Sequence, residues 1–495
     1  MSDLTTTFTN IANAIRSKTG SSDTMTPSEM PDEIAGIETP MDSINITQNG
    51  TYEPSEGRGY NQVIVEVPEP TLITKSITAN GTYSASDDNA DGYSSVTVAV
   101  PQRVNVYGFH INGNESNPSA MVTYLEDAIG MTPAHMDYAN DVFDYGSWQD
   151  AFFMPRPCIL GQNGTVIKYL NPNDYTKDTD GNTVVIDENL TDANVMIEFP
   201  KMWYKVVADA NDNYSGSVYI ANAKLDESYK DWAYIDYQGV HKDHFYMPAY
   251  NGSLVNSTLR SISGAQVMKS KTAAEEITYA TANGNGWYTE DFGEIQIINF
   301  LLILMGKSTN TQTVFGQGIH TNGNETFNDG FRTGVHNTKG LFYGTNNGSA
   351  SYTNAVKVFG IENWWGFQWR RYAGHMLVDG VQKIKLCYGR EDGSTTDSYN
   401  TDGTGYVVKG DTPSGTSGGY ISKMTYSNGV ILPSVEEGSA STYYCDGLWY
   451  INTSARYVSR GGSSGSSYLA GAFFVTLGNG ALNAGWSSGA AVSYK

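Results

Sequence analysis

Apolar and polar positions follow three different rhythms along this chain, and each marks a region. At the start, Phe8, Ile11, Ala12 and Ile15 recur at the spacing of one helical face. A second short helix is predicted where Thr26 supplies an N-cap, Pro27 a first helical position and Glu29 a capping-box partner, burying Met30 and Ile34. Helices this short are not stable alone. Residues 1–40 therefore read as an attachment segment that packs on copies of itself or on another protein.

The period then changes. Ile46-Thr47-Gln48-Asn49-Gly50-Thr51-Tyr52 returns as Ile77-Thr78-Ala79-Asn80-Gly81-Thr82-Tyr83. The run from Gly59 and Tyr60 through Val63, Val65 and Val67 to Pro68 returns as Gly92 and Tyr93 through Val96, Val98 and Val100 to Pro101. Each copy spells a short strand, an Asn-Gly turn, a polar loop and an alternating Val strand closed by proline. Residues 41–70 and 71–101 are thus two expected β modules. Modules this small bury little, so neighbouring chains are expected to complete their cores, as in a stalk.

From Gln102 the segments lengthen and aromatics enter. Residues 102–194 are expected as a connecting β-rich region, with the start of the domain that fills 195–495 as the alternative. Residues 195–205 read as one strong strand, with Pro200 at a bulge or an edge. Residues 272–279 read as a helix, Asn283-Gly284-Asn285-Gly286 as a turn, and residues 287–305 contain a helix whose apolar faces are buried all round. Two helices set among many short strands give an α+β, β-rich fold class.

Composition narrows the function. A formal charge of −22 and a pI near 4.6 oppose binding to a phosphate backbone, so nucleic acid is not an expected partner. The opening MSDLTTTFTN has no basic segment followed by an apolar one, so no secretory signal is expected. The longest apolar run, residues 295–305, is far shorter than the roughly 20 residues of a membrane span, and no membrane insertion is expected. Cys158, Cys387 and Cys445 stand far apart without CxxC spacing and read as free buried thiols of a protein assembled inside a cell.

No HExxH, Walker A, GxSxG or GxGxxG pattern occurs. His241 and His244 with Asp243 lack another zinc ligand at readable spacing and read as solvated surface histidines. Asp178-Thr179-Asp180-Gly181-Asn182 reads as a hairpin turn in preference to half a calcium loop. No catalytic residue, cofactor or metal is assigned, and the expected activity is binding.

The last forty residues are nearly free of charge between Arg460 and Lys495 and crowded with Gly, Ser, Ala, Asn and single aromatics. Such a composition suits an adaptable contact surface. The competing reading makes Ser463 to Ser467 a flexible loop and places Phe473, Phe474 and Trp486 in the core. Trp364, Trp365 and Trp369 beside Gly366 read as core packing, with a sugar-stacking platform as the alternative.

Three groups of residues now occur in order. They are residues 195–205 with Leu259-Arg260-Ser261-Ile262-Ser263-Gly264, then the run from Phe359 through Glu362, Trp364 and Trp365 to Trp369. Last come Arg460-Gly461-Gly462-Ser463, Gly471-Ala472-Phe473 and Trp486-Ser487-Ser488-Gly489. This set resembles the C-type lectin fold of bacteriophage tail and receptor-binding proteins, including variable proteins diversified by retroelements, of the major tropism determinant type. The same fold scaffolds formylglycine-generating enzymes, whose reactive cysteine pair Cys387 and Cys445 do not resemble in context. The likeness covers residues 140–495.

The resemblance implies a tail adhesin of the virion, a homotrimer assembled in the host cytoplasm. Its implied partners are a bacterial surface protein or glycan and, through the N-terminus, other phage tail proteins. The implied display positions are Ser464, Ser466, Tyr468, Leu469, Phe474, Thr476, Asn479, Asn483, Gly485 and Trp486. Ala470, Gly471, Ala472, Phe473, Val475 and Leu477 are implied to hold the scaffold. Many relatives carry Trp where this chain has Ser464, and often Arg or Phe where it has Ala490. Rival expectations are a tail-associated polysaccharide depolymerase acting through a carboxylate pair and a purely structural tail component.

Overall fold

A computed structural model describes residues 2–35, 41–47, 51–53, 55–56, 59–65, 71–77, 82–98, 104–415, 417–427 and 429–495. Their contacts divide into two units, Met1–Arg103 and Val104–Lys495. In the first, helix α1 (Ser2–Thr19) is followed by α2 (Met30–Ala35). Ahead of α2 the Thr26 N–H donates to the Glu29 carboxylate at 2.6 Å, as the capping-box spacing predicts. Ile11, Ala12 and Ile15 of α1 pack with Met30 and Ile34 of α2, and Ile44 and Tyr52 of the first module close the cluster. Within the chain the apolar faces of the two helices are thus covered by each other and by the first module.

The repeat is structural. Strand β1 (Met41–Ile46) pairs with β2 (Gly59–Val65), and β3 (Leu72–Ile77) with β4 (Gly92–Val98); both pairs slip register after their second residue. Both pairs are parallel, whereas an Asn-Gly hairpin would have made them antiparallel. Parallel pairing needs a crossover between the strands, and in the second module a short 3-10 turn, Ala85–Asp88, precedes β4. The Asn49-Gly50 and Asn80-Gly81 turns and the closing Pro68 and Pro101 lie outside the described residues. Where the first module places Ile44 against the helices, the second has Lys75, bonded to Asp88 at 2.7 Å.

In the second unit a seven-stranded sheet runs in the order Asp174–Asp178, Val166–Asn171, Arg156–Gly161, Ala193–Pro200, His244–Pro248, Val492–Tyr494, Trp287–Thr289. Arg156–Gly161 pairs along Ala193–Pro200 and the final strand joins the same sheet. Residues from 104 on are therefore one unit with the rest, so for 102–194 the reading as the start of the following domain is the one that agrees with the topology. The expected strand over 195–205 is two strands. The first ends at Pro200, and Trp203–Asp209 opens a separate four-stranded sheet with Asp212–Ala221, Val106–Ile111 and Val122–Glu126. Proline has no N–H to continue the ladder.

A nine-stranded sheet holds most of the C-terminal third. Its centre runs Trp369–Val378, Arg456–Arg460, Val475–Leu477, Gly447–Tyr450, with Ser488–Ala490 beside the first of these. Helix α3 (Ala273–Thr281) starts at a Thr272–Glu275 capping box, and α4 (Phe292–Gly306) at one formed by Asp291 and Glu294. Every residue of α4 is buried, as its all-round apolar pattern predicts. Its polar side chains are matched: Gln296 Nε2 donates to Gly429 O at 2.6 Å, and Asn299 Nδ2 to Ala472 O at 3.0 Å. The fold is α+β and β-rich, and no helix among the described residues is long and apolar enough to cross a membrane.

Candidate recognition surface

The last forty residues are woven into the core. They supply Arg456–Arg460, Val475–Leu477 and Ser488–Ala490 to one sheet and Val492–Tyr494 to another. Arg460 and Val475 face α4, where with Ile295 and Asn299 they line a small cavity of about 30 Å³. Because side chains alternate across a strand, Ser459, Thr476 and Trp449, which are cross-strand neighbours, face the other way. Two loops, residues 461–474 and 478–487, connect these strands.

Arg460 fixes the first loop at its root. Glu290, fully buried, accepts from Arg370 Nε at 3.1 Å and from Arg460 Nη2 at 3.0 Å. The Arg460 guanidinium lies 3.6 Å from the centre of the Trp364 ring and donates to Trp364 O at 2.7 Å. Burial pulls the Arg460 pKa down to about 10, opposed by the charge of Glu290. Gly461 follows at φ +83°, where a side chain would be strained.

The next residues are held by their own side chains. The Ser464 hydroxyl donates to Asn328 Oδ1 at 2.8 Å, its N–H to Phe367 O at 2.9 Å, and its C=O accepts from the Gly323 N–H at 2.9 Å. A Cβ on Gly323 would lie 1.9 Å from Ser464 Oγ. Ser464 is thus sealed in the interior, and a Trp in its place would have to open the 320–328 segment. Asp446, also buried, accepts from the Phe473 N–H at 2.8 Å and from Gln312 Nε2 at 3.2 Å. The same Gln312 amide donates to Tyr468 O at 3.1 Å, so one pair of side chains holds both ends of 468–473. Burial pushes the Asp446 carboxyl up to about 7. Above this framework Tyr468 rests its ring 5.1 Å from that of buried His320, whose pKa burial lowers to about 4.

The second loop is held by its main chain. Ala481 O accepts from the Ala273 N–H at 2.9 Å, Gly485 O from the Ser270 N–H at 3.2 Å, and Asn483 O from Arg371 Nη1 at 2.8 Å. Arg371 is fixed in turn by Glu276, with Nε donating at 2.7 Å inside the protein.

Of the ten side chains implied for display, Tyr468 and Asn483 are exposed, and Ser466, Leu469, Asn479, Gly485 and Trp486 are half-buried. Ser464, Phe474 and Thr476 are buried, which corrects their assignment. Phe474 stacks edgewise on Trp369 at 4.6 Å, and Thr476 sits in the middle of the sheet. Ala470, Gly471, Ala472, Phe473, Val475 and Leu477 are buried, as a scaffold requires. Three exposed apolar side chains were missed: Leu482 at 83%, Trp449 at 49% and Ile451 at 40%. Trp449 carried a signal, since it stands between Leu448 and Tyr450, which alternation puts on the other face.

Elsewhere, Trp364 and Trp365 are core, their indole N–H groups bonded to Asn299 Oδ1 at 2.9 Å and Gly316 O at 3.1 Å. All three cysteines are free and buried, and burial pushes the Cys387 thiol up to about 12. Asp178 closes a hairpin turn, accepting from the Asn182 N–H at 2.8 Å, while Lys168 Nζ at 2.7 Å holds its pKa down at about 2. His241 is exposed, as a surface histidine is expected to be, and it is also paired, with Nδ1 2.8 Å from Asp231 and Nε2 2.9 Å from Glu391. Among the described residues no group of three or more His, Cys, Asp or Glu could hold a metal ion. Comparison of the chain with known protein families and with characterised proteins finds no match to either.

Proposed function

We propose that this chain is a bacteriophage tail receptor-binding protein whose second unit is a C-type lectin-like domain. Its C-terminal loops bind a protein or glycan on the bacterial surface. One observation carries the reading: exposed, charge-free side chains, Tyr468 on one loop and Leu482 and Asn483 on the other, stand on loops whose roots are held by buried ionic and hydrogen-bonded groups. Rigid aromatics among small polar residues give contact area at low entropic cost. The β modules support a homotrimeric stalk, because parallel pairs are ordinarily covered on both faces while Leu72 and Val96 are exposed. Three copies raise avidity without new contacts.

The test is adsorption of the full chain to a panel of bacterial cells. Tyr468→Ala with Leu482→Asp is expected to abolish binding while the melting temperature stays within a degree or two. Unchanged adsorption overturns the reading. Release of oligosaccharide from the cells assigns the chain to the depolymerases instead.

A further inference from the structure

The four-stranded sheet of the second unit has an open edge. Trp203–Asp209 pairs on one side with Asp212–Ala221. On its other side Tyr204 alone is matched: its N–H donates to Lys230 O and its C=O accepts from the Lys230 N–H, both at 2.8 Å. Main-chain groups of a strand point alternately to its two sides, so Val206 turns its N–H and C=O the same way as Tyr204. Neither has a partner among the described residues. Beyond the Tyr204–Lys230 pair a groove of about 420 Å³ opens, lined by Lys205, Val206, Glu227, Ser228 and Lys230.

Charge is a second observation. The chain carries −22, yet two lysines flank this groove. Lys205 Nζ lies 5.7 Å from the Tyr229 ring centre and Lys230 Nζ 5.9 Å from that of Trp232, and neither forms an ion pair among the described residues. The acids nearby are engaged. Glu227 is bonded to Lys224 at 2.7 Å, and Asp226 accepts from the N–H and hydroxyl of Ser228.

We propose that this edge takes an extended acidic peptide segment of a partner protein by strand addition. The peptide backbone continues at Val206 the ladder begun at Tyr204 and Lys230, and its carboxylates meet Lys205 and Lys230. An anionic saccharide would use the lysines but has no need of the Val206 N–H and C=O, which separates the two occupants. This inference does not rest on the receptor-binding reading.

The test is fluorescence anisotropy of the full chain at low salt with three labelled peptides. One alternates Glu with Thr and Val, the second has Lys for each Glu, and the third is the acidic peptide N-methylated at alternate residues. The acidic peptide is expected to bind, and the other two to bind at least about tenfold more weakly. Lys205→Ala with Lys230→Ala is expected to weaken the acidic peptide by a similar factor at unchanged melting temperature. No binding of the acidic peptide, or equal binding of its N-methylated form, overturns the proposal. So does binding of polygalacturonate alone, which assigns the groove to an anionic glycan.

Discussion

The two loops of the C-terminal region are close in length and lie in the same sheet, but they are secured in opposite ways. The first commits side chains of its own, Ser464 on Asn328, the Ser466 hydroxyl accepting from the Ser463 N–H and Phe474 against Trp369, beside the main-chain bonds to Asp446 and Gln312. The second is tied to its surroundings by carbonyl oxygens, among them those of Ala481 and Gly485 to Ala273 and Ser270 and that of Asn483 to Arg371, while the Asn483 amide bonds only within the loop, to Asn479 and the Gly485 N–H. Every amino acid has a carbonyl. A loop held by its carbonyls keeps its path whatever side chains it carries, whereas a loop held by its side chains has already committed them. Residues 482 and 484 can therefore change freely, Asn483 only at the loss of bonds inside its own loop, and in 461–474 only the tip around Tyr468 can.

Four substitutions break or sharpen this contrast. Arg371→Ala has the largest expected effect, because it strands Glu276 inside the protein and releases Asn483 O together. A loss of about 3–5 kcal/mol is expected, read by denaturant unfolding. The second concerns pH. The Asp446 carboxyl has a folded pKa near 7, raised from 3.8. The unfolded chain therefore loses its proton first as pH rises, and the stabilisation present below about pH 4 is lost on the way to about pH 7. Relative to Asp446→Asn, the wild type should lose stability across that window at up to about 1.4 kcal/mol per pH unit; parallel pH profiles would contradict this. Third, Gly471→Ala should cost about 1–3 kcal/mol, since its Cβ would stand 1.8 Å from Asp446 Oδ1. Fourth and smallest, Leu482→Ser should move stability by no more than about 0.5 kcal/mol while weakening cell adsorption. A large thermal shift there would end the contrast between the loops.

Much of the fold could be read locally. The capping residues Thr272, Glu275, Asp291 and Glu294 and the uninterrupted apolar run of α4 carry their own structural instructions. What escaped depends on distant partners. Ser464 looked free because nothing near it in sequence says that Gly323 and Asn328 close over it. The parallel pairing in the modules escaped because Asn-Gly signals only a local reversal, and the early strands because Arg156–Gly161 finds its neighbour beyond residue 192. The buried scaffold positions 470–473, 475 and 477 were legible, but the alternation expected with them was not met, since Phe474 and Thr476 are buried too; the exposed Trp449 was overlooked because it lies before them.

The place of Val492–Tyr494 bears on how the protein is made. That strand lies between His244–Pro248 and Trp287–Thr289, and the Lys495 ammonium is seated on Asp291 and 3.7 Å from Glu294 at the start of α4. A ribosome working at about 5–20 residues per second needs roughly 10–40 s to travel from the Trp287–Thr289 codons to those of the last strand. For that interval the nascent sheet has a vacant lane, and α4 begins beside acids that have not met their counter-ion. A chain released early never fills it and keeps an edge open to other chains, so the sheet closes only on polypeptides whose translation has passed residue 494.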